Sequence, residues 1–108
     1  MSTPRLIFAP VVVAILVLAG PGDAKADAAR GQGLAEQWCS QCHGVRPNQS
    51  SANPDAPSFS AIAAEPSATQ YALRTFLRVP HPTMPNFILK PDDIDDIVAH
   101  ITSLKPQK

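Results

Sequence analysis

The sequence is short of most things that stabilise or charge a small protein. Of its 108 residues only two are cysteine and 6% are aromatic, and nine basic residues balance nine acidic ones. That balance leaves no basic surface for nucleic acid and no acidic tail. Two cysteines cannot build a disulfide framework. No stretch alternates apolar and polar residues as a half-buried strand would, and no segment repeats, so the domain is expected to be all-α. The longest apolar run, Leu6 to Leu18, is broken by Pro10 and falls short of the roughly 20 residues that span a bilayer. Proline, by contrast, is abundant at 12 residues. A chain of this length forms one small domain, and one so rich in proline buries little apolar surface. Such a domain needs a disulfide, a metal or a cofactor to be stable.

Residues 1–26 have the pattern of an export signal. Arg5 supplies the positive n-region, Leu6 to Leu18 the apolar centre, and Ala24-Lys25-Ala26 the A-x-A cleavage pattern. Cleavage after Ala26 leaves residues 27–108 as the mature domain, exported to a bacterial periplasm. Left uncleaved, the segment would be an N-terminal anchor and the protein's one contact with a membrane. In an exported protein two isolated cysteines form a disulfide by default, but a bridge three residues long constrains the unfolded chain little.

Along the mature domain, Ala28 to Cys39 reads as a helix with Asp27 as N-cap. Gly31, Leu34, Ala35 and Trp38 fall on one face, and the small pair Gly31 and Ala35 admits the close crossing of another helix. Trp38 is expected in the core. Gly44 to Pro57 reads as an irregular loop, long enough to require something packed beneath it, with Arg46 as a solvated charge. Ser58 to Ala64 reads as one or two helical turns. Ser67 to Arg78 reads as a helix capped by Ser67, with Leu73 and Leu77 paired one turn apart. Val79 to Phe87 can be neither helix nor central strand, because Pro80, Pro82 and Pro85 remove donors and restrict φ. This stiff loop holds Met84, the only methionine left after residue 26. Pro91 to Leu104 reads as an amphipathic helix, with Asp92, Asp93, Asp95 and Asp96 a solvated acidic face at its positive end. His100 on that helix is expected at the surface.

Both cysteines lie in Cys39-Ser40-Gln41-Cys42-His43. The C-x-x-C-H spacing suits covalent haem attachment, two thiols adding to two vinyl groups while the histidine reaches the iron. Thiol–disulfide exchange would also use C-x-x-C, but its reactive thiol opens a helix, whereas Cys39 follows one. A zinc site needs four ligands, and three crowded ones stand here without a second pair.

The chain resembles the small class I c-type cytochromes, the monohaem electron carriers of bacterial periplasms. Four landmarks in order carry the resemblance: the helix from Gly31 into Cys39-x-x-Cys42-His43, then Ala56-Pro57-Ser58-Phe59, then Pro80-His81-Pro82-Thr83-Met84-Pro85, then the C-terminal helix. It implies a cytochrome c fold over 27–108, three to four short helices wrapped around one covalently bound haem c, with the N- and C-terminal helices crossing where Gly31 and Ala35 meet Ile97 and Ile101. It implies thioethers at Cys39 and Cys42, His43 and Met84 as axial ligands of the haem iron, and the Pro57 carbonyl as partner of the His43 ring. His81 is a competitor for the distal position, and Arg74 and Arg78 stand either near haem propionates or in solvent. The implied function is electron transfer between redox protein partners (a membrane respiratory complex, an oxidase, a reductase or a dehydrogenase), with no catalysis and no small-molecule substrate. The alternative within that reading is a dedicated cytochrome subunit bound to a periplasmic dehydrogenase. The mature domain has seven basic and eight acidic residues, so no ring of lysines steers it to an acidic partner.

Overall fold

The first helix among the described residues opens on an N-cap. Asp27 has extended backbone, and its carboxylate accepts the Arg30 N–H at 3.0 Å, opening helix α1 over Ala28–Trp38. In the computed structural model, which describes residues 1–16, 25–79 and 83–107, three more helices follow: α2 over Phe59–Ala64, α3 over Gln70–Arg78 and α4 over Pro91–Ser103. No strand occurs among the described residues, in keeping with a small cytochrome c fold. Leu18, Ala24, Pro80, His81 and Pro82, which figure in the expectations above, lie outside the described residues. Residues 1–16 are exposed and form no helix, and none of the described helices is long and apolar enough to cross a membrane.

Local chemistry explains the remaining starts. Ser58 caps α2 through the Ala61 N–H at 3.1 Å. Thr69, not Ser67, caps α3, accepting from the Ala72 N–H at 3.1 Å. The helix therefore begins later than its composition suggests, because Ser67 to Thr69 is taken up by a turn in which Thr69 N–H donates to the Ser67 carbonyl. Lys90 contributes no capping side chain to α4; Pro91 at N1 and the acidic first turn serve instead.

The core is the contact of α1 with α4. Ile94, Ile97, Val98 and Ile101 are each 3% exposed or less, and each contributes on the order of 1.5–3 kcal/mol by leaving water. Facing them, Gly31 is buried and Ala35 is fully so. A Cβ built on Gly31 would lie 1.8 Å from the carbonyl oxygen of Asp96 and 2.9 Å from the Ile97 nitrogen, so backbone meets backbone there. Trp38 is only half-buried and stands outside the main core cluster.

The acidic face of α4 is not uniformly solvated. Asp93 and Asp96 are 6% and 8% exposed, and both accept from the Arg30 guanidinium of α1, at 2.7 and 2.5 Å. A carboxylate is buried only with a partner, and one arginine serves two here. Arg46 is exposed, as expected, and donates to Glu36 at 2.8 Å in a surface ion pair. On α3, Leu73 turns inward while Tyr71 is 80% exposed.

The two glycines of α1 should respond to substitution with opposite signs. Gly31→Ala gains helix propensity of about 1 kcal/mol but drives a methyl into backbone that cannot yield, so a net loss of about 1–3 kcal/mol is expected. Gly33→Ala meets nothing within 4 Å and should stabilise by about 0.5–1 kcal/mol. Denaturant unfolding of the two variants checks both.

Candidate functional site

Helix α1 ends in the turn that carries the chemistry. Cys39 is its C-cap, donating N–H to the Ala35 carbonyl at 2.8 Å. The chain then folds back, and the N–H groups of Cys42 and His43 both donate to the Cys39 carbonyl, at 3.2 and 2.9 Å. One carbonyl thus gathers two thiols and an imidazole into a single turn. The thiols are half-buried and not joined to each other. Burial pushes the Cys39 thiol up to about 11, and its place at the negative end of a helix gives a thiolate no help. Thiol–disulfide exchange needs the reverse, a thiol held low, so that reading loses its reactive group.

The His43 ring is oriented by the chain. Its Nδ1–H donates to the Pro57 carbonyl at 2.6 Å. A carbonyl only accepts, so Nδ1 carries a proton, and in the neutral ring Nε2 is the nitrogen with the lone pair. Metal-binding histidines are commonly prepared in this way. The Phe59 ring lies against the imidazole, with centroids 5.6 Å apart.

The loop from Gly44 to Pro57 is held largely by its own side chains. Gln49 Oε1 accepts from the N–H groups of Val45 and Arg46 at 2.9 and 3.1 Å, Ser51 Oγ from Gly44 at 3.0 Å, and Ser60 Oγ from Asn48 at 2.9 Å. Asn48 takes φ 56°, a conformation asparagine tolerates. A Cβ on Gly44 would lie 2.0 Å from the Gln49 carbonyl oxygen, so only glycine fits. Beneath the loop sits His100, 3% exposed instead of at the surface, whose Nε2–H donates to the Val45 carbonyl at 2.6 Å. Phe59 lies between the two histidines, with its centroid 6.1 Å from that of His100. Sequence reasoning missed His100, although Asp93, Asp96, Ile97 and His100 share one helical line along the edge of the apolar stripe.

Met84 comes from a different element, the segment joining α3 to α4. It is half-buried and lines a narrow cleft with Leu77, Val79, Phe87 and Leu89. His81 is outside the described residues. Arg74 is engaged by Asp95 at 2.7 Å, while Arg78 is exposed at the end of α3. Among the described residues no three His, Cys, Asp or Glu side chains gather to hold a metal ion by themselves.

With this geometry in view, the relatives are informative. The family model described as Cytochrome C oxidase, cbb3-type, subunit III matches residues 26–101. Cytochrome c-552 of Bradyrhizobium diazoefficiens is 44% identical over 81 residues, covering 75% of this chain and 78% of that protein. No solved structure matches. The residues present fit the haem such proteins carry: two unjoined thiols, an imidazole oriented by the Pro57 carbonyl, and a thioether at Met84 in an apolar cleft with Leu77, Val79 and Phe87.

His100→Leu keeps the volume near α4 but strands the buried Val45 carbonyl. The variant should lose about 1–3 kcal/mol of stability and exchange the amide hydrogens of residues 44–49 faster, which denaturant titration and hydrogen exchange would measure.

Proposed function

This chain belongs to the c-type cytochromes, and from that premise we propose that Cys39 and Cys42 hold haem c through thioethers, with His43 and Met84 as the axial ligands of its iron. The protein is a haem c electron-transfer protein. The observation that carries the residue assignment is the 2.6 Å bond from His43 Nδ1 to the Pro57 carbonyl, made in the same turn that presents both thiols.

When bound, the haem supplies a one-electron couple between ferric and ferrous iron. Cys39 and Cys42 would hold it through thioethers, each S–H adding across one vinyl group with no leaving group released. His43 contributes its Nε2 lone pair, and Pro57 keeps the ring from turning. Met84 contributes a neutral thioether, which favours the ferrous state more than a second imidazole would and raises the potential. With His43 and Met84 both holding the iron, the group would exchange electrons without binding a substrate. Electron transfer without substrate chemistry follows.

The domain boundary we propose is a cleaved leader over 1–26 and the cytochrome over 27–108, in a bacterial periplasm. It is supported by the A-x-A pattern, by the start of α1 at Ala28 and by the family match beginning at residue 26. A freely diffusing carrier is the first reading. The second is a subunit held on one enzyme, a dehydrogenase or an oxidase. It is favoured by the internal pairing of Arg30, Arg46 and Arg74, which leaves few cations to steer a partner, and by the exposure of Tyr71 and Ile88. Size-exclusion chromatography of periplasmic extract separates them, because a carrier elutes alone and a subunit with its enzyme.

The ligand set is tested by absorption spectra and redox titration of the holoprotein and its Met84→Ala variant. The variant should lose the weak sulfur-to-iron band of the oxidised form, lower its potential, and bind added imidazole where the parent does not. An unchanged spectrum and potential would show that another residue, with His81 first in line, holds the distal position.

A further inference from the structure

Two carboxylates of α4 that the proposed iron site does not use converge on Arg30, and one of them, Asp96, also reaches the backbone of Asp27. Asp96 is 8% exposed; its Oδ1 accepts the Asp27 backbone N–H at 2.8 Å and its Oδ2 the Arg30 guanidinium at 2.5 Å. Asp93, 6% exposed, takes the other arm of Arg30 at 2.7 Å. The Asp27 N–H, ahead of Arg30, holds the Asp96 carboxyl below its ordinary range, so it is ionised at neutral pH. The Asp27 carboxylate is already occupied in capping α1. Two buried carboxylates therefore face one guanidinium, and one negative charge is unmatched within the cluster. Lys25 and Lys90 line the same cavity, as do Asp92 and Asp95, so carboxylates still outnumber cations there once Lys25 departs with the leader. Residues 25–27 are exposed and non-helical, so the Ala26–Asp27 bond lies at the step from extended chain to folded helix.

We propose that removal of the leader after Ala26 completes this cluster, the new α-ammonium of Asp27 becoming the cation that Asp96 binds and so locking the processed N-terminus onto α4. The proposal rests on the export reading above. Water adds across the Ala26–Asp27 amide: the acyl carbon takes the hydroxyl and departs as the Ala26 carboxylate on the released leader. The nitrogen remains on Asp27 as an amine and takes up a proton. A neutral donor already in contact with Asp96 becomes a charged one in the same place, and charge-assisted bonds of this kind are about twice as strong. It also replaces the charge of Lys25, which leaves with the leader. The macrodipole of α1 opposes an ammonium at its N-terminus with roughly half a unit charge. A full carboxylate at 2.8 Å, with Asp93 and the capping Asp27 carboxylate nearby, outweighs it.

The test uses exported holoprotein in two forms, one starting at Asp27 and one with a leader that leaves Ala26 attached, each with and without Asp96→Asn. The intact mass of the native export should correspond to residues 27–108 plus one haem. The Asp27-start form should melt about 4 °C or more above the Ala26-start form, and Asp96→Asn should abolish that difference. As a measurement independent of the substitution, acylation of the α-amine at pH 7 should be severalfold slower in the Asp27-start form, because an ammonium paired with a carboxylate gives up its proton less readily. A different native N-terminus would remove the cleavage reading at this bond and the proposal with it. An N-terminus at Asp27 with equal melting and equal acylation, or a difference that survives Asp96→Asn, would overturn the proposal alone.

Discussion

The rest of this small protein depends on two helices lying closer than ordinary side chains permit. At Gly31 there is no Cβ, and the backbone of α1 rests directly on the Asp96–Ile97 backbone of α4. That approach fixes where the end of α1 points, and so where Cys39 and the turn after it are presented. It also brings α4 within reach of the loop that follows His43, through the bond from His100 to Val45. The position of the Cys39–His43 turn is therefore set by packing about two helical turns earlier, at a glycine that carries no chemistry.

A domain with so few aromatics compensates by placing its buried polar groups with care. Asp93 and Asp96 share Arg30, His100 spans from α4 to the loop, and His43 is tied to Pro57. No buried side-chain nitrogen or oxygen among the described residues is left without a partner. Each of these bonds joins segments distant in sequence, so each contributes specificity of arrangement as well as stability. The loop over 44–57 shows the same economy. Gln49 and Ser51 do for its backbone what secondary structure does elsewhere, which frees Pro57 to serve the His43 ring.

The two halves of the chain differ in how fully they are covered. The half built from α1, the loop, α2 and α4 is closed. The half built from α3 and the segment to α4 leaves Tyr71, Phe76, Val79, Phe87 and Ile88 exposed, and it is this half that contributes Met84. Apolar surface of that extent on a small domain calls for cover by a bound group or by a partner protein. A haem c electron carrier has both demands, one for its cofactor and one for the proteins with which it exchanges electrons.

Local chemistry was readable from the sequence alone: helix positions from periodicity and caps, the C-x-x-C-H turn from spacing, and the small-residue face of α1 from Gly31 and Ala35. These depend on neighbours within a turn or two, and the chain carries that information directly. The start of α3 was misplaced because Ser67 and Thr69 are equal candidates until the turn before them is seen. Tertiary structure alone decided that Asp93, Asp96 and His100 are buried and that Arg46 and Arg74 are engaged. A polar residue reads as solvated unless its partner is known, and here the partners lie between 10 and 69 residues away. Whether a charge faces water or another charge is a property of the packed molecule, which no local pattern encodes.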